Sequence, residues 1–451
     1  MSGSVYYAYR LLTDKHLDTI KTGLAMDTPS SKLIYLAGSP LLRPRIGKLA
    51  VALLIVLVLL GAFGLVRTLP GYAEANLLGV YFLALLTAIW LSLPAIALLW
   101  YLDRREREPL WLFIGALLWG AVVANGLSLI LNTSGITFLT TSILGLSPGA
   151  LEGLAADEIL SQLDLGPNFF PSLAGLLLAT FQGAFVEEVT KGIALLLLAW
   201  LMRSEFNGVR DGIIYGGLVG LGFNLTATAT YATNAFLDSG TVATLQQLIS
   251  RFVFLGLDSH FLYTALLGVG LGLAVQSRRQ GRAALYALGA VLLAIFAHAI
   301  HRVLMPFAFG MVDGLLLTLR NGAVPGAEEN VSRAVLYWLT MALATLLVQL
   351  FPFLLLLVAL IQSEQWELRT IREQLADEVG RAITAREYQQ LQEESLWVSR
   401  RIKGYSRRVS NAIVNAQNKL ALRKWEVKRA KGNFVLDPLV RAWRDRIDRL
   451  R

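Results

Sequence analysis

The feature that most constrains this chain is a set of long apolar runs, each near the roughly 20 residues that cross a bilayer as a helix. The first, Leu49 to Val66, holds no charged residue and is flanked by Lys48 and Arg67. Eight spans are read along the chain, at roughly 48–68, 76–101, 110–132, 171–202, 211–236, 252–276, 283–307 and 334–362. In hydrocarbon each backbone N–H and C=O needs a partner within the protein, so runs of this length become helices. The expected fold is all-α, a polytopic transmembrane bundle. Composition agrees: 16% of residues are charged, against about 25% in soluble proteins.

Lys and Arg in the short loops set the expected orientation. They occur in the N-terminal segment 1–47, in "DRRERE" after the second span, at Arg203 and Arg210 after the fourth, and in "SRRQGR" after the sixth. The stretch Ser134 to Ser172 has neither, and carries Glu152, Asp157, Glu158 and Asp164. This pattern predicts a multi-pass protein of the plasma membrane with both termini cytoplasmic and the acidic stretch outside, where "AADEILSQLDL" suggests a short lid helix. No apolar core lies near Met1, so no cleavable signal peptide is expected.

Three parts are expected: a cytoplasmic segment 1–47, a membrane domain 48–362, and a basic segment 363–451. The last holds 20 Lys/Arg against 12 Asp/Glu, with apolar residues at helical spacing. It reads as a cytoplasmic helical tail, solvated or drawn to the anionic inner leaflet. No nucleic-acid motif accompanies its charge, and no nucleic-acid partner is expected.

Inside the fourth span lies "FVEEVTKG", with Glu187, Glu188 and Lys191. A charge at a helix centre costs about 2.5–3.5 kcal/mol on insertion scales. Both glutamates stand at a spacing that reaches Lys191, yet one ammonium neutralises one carboxylate. The other must be protonated, metal-bound or paired elsewhere. Two readings follow: a buried ion pair that fixes packing, or a polar functional site. Polar groups at matching depth favour the site. The sixth span holds "LDSHFLYT" with His260 and Thr264, and the seventh "FAHAIHRV" with His298 and His301 at i,i+3. Three of the chain's four histidines thus fall inside spans, His16 being the exception. With no cysteine in the chain, a metal would need His, Asp or Glu. Zinc held by such ligands lowers the pKa of bound water and polarises a carbonyl, with a free glutamate as base. The fifth span is rich in Gly, Ala and Thr, which suits close helix packing; Asn224 and Thr226 remain available as polar groups.

At these residues the sequence resembles the PrsW family of intramembrane proteases, distantly similar to the CAAX prenyl endopeptidase and Abi membrane proteins. EExxK matches Glu187, Glu188 and Lys191. "DRREREPLWLFIGALLWGAVVA" (103–124), "DGIIYGGLVGLGF" (211–223), "HFLYTALLGVGLGLA" (260–274) and "HAIH" (298–301) resemble successive family segments, so the likeness runs from about 100 to 305. The family's FxxxE motif keeps Phe223, but Ala227 stands where it has Glu.

The resemblance implies a metalloprotease that cleaves membrane-anchored proteins. Glu187, Glu188 and Lys191 would be catalytic, and His260, His298 and, less centrally, His301 would hold a divalent metal, zinc by expectation. Phe223, Asn224 and Thr264 would support them. The alternative is an inactive PrsW-like pseudoprotease that acts as a membrane scaffold or regulator. A transporter ranks below both, because no inverted repeat is evident.

Overall fold

The computed structural model describes residues 39–138, 169–277, 279–320, 322 and 330–451. Residues 1–38 and the expected lid helix lie outside the described residues. Every described regular element is helical, and the architecture is the expected all-α bundle.

The membrane part runs through α1 (Pro44–Val66), α2 (Leu78–Leu102), α3 (110–138), α4 (Phe169–Leu201), α5 (Val209–Arg251), α6 (His260–Gln276), α7 (Gln280–Leu319) and α8 (Asn330–Leu375). Among the described residues, α1, α2, α3, α5, α7 and α8 provide six helices long and apolar enough to cross a membrane, and α6 is a shorter apolar helix. Exposed Leu, Val, Ile, Phe and Trp side chains cover the outer faces of α1, α2, α7 and α8. Such a surface suits lipid and not water.

At the centre is α5, whose apolar stretch is wholly buried. Its glycines explain how. A methyl group at Gly212 would lie 2.0 Å from the Gly268 carbonyl oxygen, and one at Gly220 would lie 2.3 Å from the His260 carbonyl oxygen. On the opposite side, Gly222 meets Leu117 and Gly120 of α3 meets Val219 in the same way. Backbones touch directly, as small residues permit in a bilayer. The small-residue pattern of the fifth span is therefore a packing face.

Four boundaries differ from the sequence reading, the first being the end of α7, which runs past 307 to Leu319. Helix α5 continues past 236 to Arg251, through a kink at Gly240 (φ 75°). The sixth helix begins at His260 and not at 252, because residues 252–259 form an irregular connection with positive φ at Leu255, Gly256 and Ser259. Helix α8 does not stop where its apolar run ends near 362. It continues to Leu375 and carries the chain straight into the basic segment.

There, α9 (Ala385–Gln392), α10 (Arg407–Arg429) and α11 (Pro438–Leu450) pack on the end of α8. Each starts on a side-chain cap: Thr384 accepts from Glu387 N, Ser406 from Val409 N, and Asp437 from Leu439 N and Val440 N. Each such cap contributes about 1 kcal/mol. Leu368, Ile371, Leu375, Ile383, Leu391, Ile413, Leu420, Val440, Trp443 and Ile447 form their own apolar core. The segment is thus a packed unit and not a solvated tail, and four of its cations, Arg400, Lys419, Lys424 and Arg444, are buried. Lys424 is fully buried, 2.7 Å from Glu378. Arg400 bonds Glu394 at 3.1 Å.

This unit is bolted to the bundle. Arg105 reaches Glu364 at 2.6 Å and Glu394 at 3.3 Å. The Asn418 side chain donates to the Arg105 carbonyl at 2.7 Å. Lys419 lies 2.8 Å from Glu205, 3.4 Å from Glu108 and 3.6 Å from Glu106.

Candidate metal centre

The charges of "EEVTK" meet the histidines of α6 and α7 in the middle of the bundle. Glu187 and Glu188 are neighbours on α4 and so point about 100° apart around the helix. Glu188 faces inward: Oε1 lies 2.5 Å from Lys191 Nζ and 2.8 Å from His298 Nδ1, and Oε2 accepts from Thr264 Oγ1 at 3.4 Å. Glu187 turns toward α7, where its Oε1 accepts from Arg302 Nη2 at 2.5 Å. The carboxylate that Lys191 cannot serve is therefore paired with a cation from another helix.

The second oxygen of Glu187 is different. Oε2 is buried without a hydrogen-bond partner among the described residues. It lies 3.8 Å from His260 Nδ1 and 3.8 Å from His298 Nε2. One ligand atom from each of Glu187, His260 and His298 falls within 4.8 Å of the others. A carboxylate with two imidazoles is a donor set that zinc takes with a position left open. The fit goes further than the donors. A ligating histidine usually gives its other ring nitrogen to a carboxylate or carbonyl, and His298 presents Nδ1 to Glu188. An orphaned buried oxygen facing two imidazoles suits an ion better than a closed hydrogen-bond network.

Packing fixes the rings. His260 begins α6 and lies against Phe223 at 4.7 Å between centroids. Lys191 Nζ sits 4.7 Å over that same Phe223 ring and 3.3 Å from His260 Nδ1. Tyr263 stacks on His298 at 5.0 Å with 16° between planes.

Of the nine residues expected at the site, Glu187, Glu188, Lys191, His260, His298, Phe223 and Thr264 come together. His301 does not join the ligand group; its ring lies 6.0 Å from Tyr263. Asn224 turns away, donating to the Arg251 carbonyl at 3.2 Å and accepting from Thr228 at 3.3 Å. Ala227 packs with Ala124 and Phe223 in an apolar wall. Thr226 accepts from Asn125 Nδ2 at 2.8 Å and donates to the Ala121 carbonyl at 2.7 Å. That carbonyl lies in a π-helical turn, Trp119–Ala124, whose wider spacing frees backbone oxygens.

Sequence reasoning missed Arg302, Tyr263 and Gln349. Arg302 carried a signal, since it stands four residues after His298 and shares its face. The Gln349 side chain donates to Tyr263 Oη at 3.1 Å, and its only mark in the sequence is one amide in an apolar run.

Fold and site together define a multi-pass helical membrane protein with a buried carboxylate and histidine cluster. Residues 108–324 match the model of the PrsW family intramembrane metalloprotease. The family resemblance is shown over that segment, which includes every residue of the cluster. No curated protein and no solved structure matches the chain.

Proposed function

We propose that this protein is an intramembrane metalloprotease that cleaves membrane-anchored proteins. The observation that carries the reading is Glu187 Oε2, unpartnered among the described residues and facing both His260 and His298. Glu187, His260 Nδ1 and His298 Nε2 would hold a divalent metal, with zinc favoured by the donor set. Such an ion, when bound, supplies a Lewis acid for a peptide carbonyl and lowers the pKa of water.

The chain's own residues supply the rest. Glu188 stands beside the ligand group without belonging to it. Its Oε2 carries only the long hydrogen bond from Thr264 among the described residues, so it retains capacity to take a proton from water and return it to the leaving amine. Lys191 holds the negative charge of Glu188 and donates to His260 Nδ1; a ligand role for His260 would need that lone pair, leaving Lys191 to Glu188 alone. Arg302 offsets the charge of Glu187 without using Oε2. The bilayer is the surrounding solvent, and the tail unit and short basic loops would lie on the cytoplasmic side of the plasma membrane.

A second reading rests on Ala227. Where the resemblance anticipates a glutamate, the position is buried among apolar groups, which favours an inactive scaffold that retains the fold. Elemental analysis of purified protein beside a His260→Ala, His298→Ala double variant separates the two. Near-stoichiometric zinc lost in the variant supports the protease. Folded wild-type protein without metal overturns it in favour of the scaffold.

A further inference from the structure

Gln349 interrupts "ATLLVQLFPFLLLL" in α8, a run with no other polar residue between Thr345 and Ile361. It is 3% exposed. An amide buried in an apolar medium costs several kcal/mol unless its hydrogen bonds are made, and here both ends are used. Nε2 donates to Tyr263 Oη at 3.1 Å. Oε1 accepts the backbone N–H of Ser259 at 3.2 Å. The amide cannot be turned round, because a backbone N–H only donates and must meet the oxygen.

Both partners lead to a histidine. Ser259 is the residue before His260 and caps the start of α6 with φ 53° and ψ −120°. For a residue with a side chain this backbone is strained, and it persists only where surroundings hold it. The bond from Gln349 is such a hold. Tyr263 stacks on His298 with 16° between planes, so fixing its hydroxyl fixes the plate against which that imidazole rests. Resting on the metal-centre reading above, we infer that Gln349 is a positioning residue for that centre. It sets His260 through Ser259 and His298 through Tyr263.

Gln349 lies beyond residues 108–324, the segment matched by the family model. It sits on the helix that continues into the tail unit. Some 15 residues further along α8, Glu364 bonds Arg105, and Glu367 pairs with Arg210 at the start of α5. The added helix thus touches the candidate centre at one level and anchors the tail at another.

The test uses full-length protein in detergent, with Co²⁺ as the probe, read by its visible absorption spectrum and by competition with a chelator. Gln349→Met keeps the volume and removes both hydrogen bonds. It is expected to bind Co²⁺ about 10–100-fold more weakly, the range for residues behind metal ligands, with an altered spectrum. Gln349→Glu can accept from Ser259 N and from the Tyr263 hydroxyl, so it is expected to restore the wild-type spectrum. Tyr263→Phe keeps the stack and loses one arm, and should shift the spectrum with a smaller loss of affinity.

Folded Gln349→Met with wild-type spectrum and affinity overturns the positioning role alone. Wild-type protein that takes up no Co²⁺ overturns the metal centre and this role with it. If Gln349→Met does not fold, Tyr263→Phe decides, and an unchanged spectrum there overturns the assignment.

Discussion

His298 sits between the two neighbouring glutamates and treats them differently: Nδ1 is 2.8 Å from Glu188 Oε1, whereas Nε2 is 3.8 Å from Glu187 Oε2. The first is a hydrogen bond. The second leaves a gap with an unpartnered oxygen on one side. On the proposed function the pair would divide into a ligand, Glu187, and a base, Glu188. Glu187→Gln is expected to lose bound metal, measured by elemental analysis. Glu188→Gln is expected to keep the metal and lose cleavage of a membrane-anchored substrate by about 10²–10⁴-fold, the range for a general acid or base. Cleavage unchanged in Glu188→Gln would sink this division.

Lys191 is the cation that makes Glu188 tolerable inside the bundle. It is fully buried and 2.5 Å from that carboxylate. Removing one partner of a buried pair costs about 3–5 kcal/mol, because a charge is left without compensation. Lys191→Met should therefore lower the thermal unfolding midpoint sharply, and adding Glu188→Gln should recover much of the loss. The double-variant cycle measures the coupling. Additive losses in the two single variants would contradict direct pairing.

The membrane helices and the polar core were legible because their signals are local. Apolar run length gives the spans, and i,i+3 spacing puts Lys191 with Glu188 and His301 on the same helix as His298. What was hidden is long-range. Nothing in the spacing shows that Glu187 turns to Arg302, since the two are 115 residues apart. The start of α6 is hidden in the sequence because residues 252–257 are nearly as apolar as the helix that follows, and the turn is made by backbone at positive φ and not by a proline. The sequence reads as a tail solvated or drawn to the inner leaflet because charge density alone does not separate exposed from paired lysines. Lys419 and Lys424 look like any others until their carboxylates are located.

The direct contact of α5 with α6 gives a further expectation. A methyl group at Gly220 would sit 2.3 Å from the His260 carbonyl oxygen, so Gly220→Ala must push the two helices apart at the candidate centre. Alanine gains about 1 kcal/mol of helix propensity over glycine, too little to offset a backbone displacement in a packed interior. The variant is expected to lose stability and metal together. Gly289→Ala is the control, because nothing lies within 4 Å of its new methyl group. It should be neutral or slightly stabilising in the same unfolding assay. Equal behaviour of the two variants would contradict the close approach.

The junction between bundle and tail should respond to pH, and the sign can be worked out. Burial pushes Asp103 up to about 7, against a hydrogen bond from the Glu108 N–H and the charges of Arg210, Lys419 and Arg107. Burial also raises Glu108 well above the usual carboxylate range, and raises Glu106 against the pull of Lys419. These groups hold protons in the folded state that the unfolded chain has released, so their contribution falls as pH rises above the ordinary carboxylate range, for Asp103 toward about 7. Glu205 moves the other way: burial opposes its charge, but Lys419 outweighs it and holds the carboxyl below its ordinary value. Its contribution is present above that ordinary value and is lost only in stronger acid, so it is constant between pH 5 and 8. Burial likewise opposes the charge on Lys419, and Glu108, Glu205 and Glu106 together hold it well above the ordinary range. Its contribution is complete throughout that window. Net protection of α10 in hydrogen exchange is thus expected to be greater at pH 5 than at pH 8, after correction for the intrinsic exchange rate. Asp103→Asn, which keeps an acceptor for the Glu108 N–H, should make that difference smaller. Lys419→Met should expose α10 at both pH values, because Glu205 and its neighbours then lose the cation they share. Protection that rises with pH, or a Lys419→Met tail as protected as wild type, would show that this buried network does not hold the tail to the bundle.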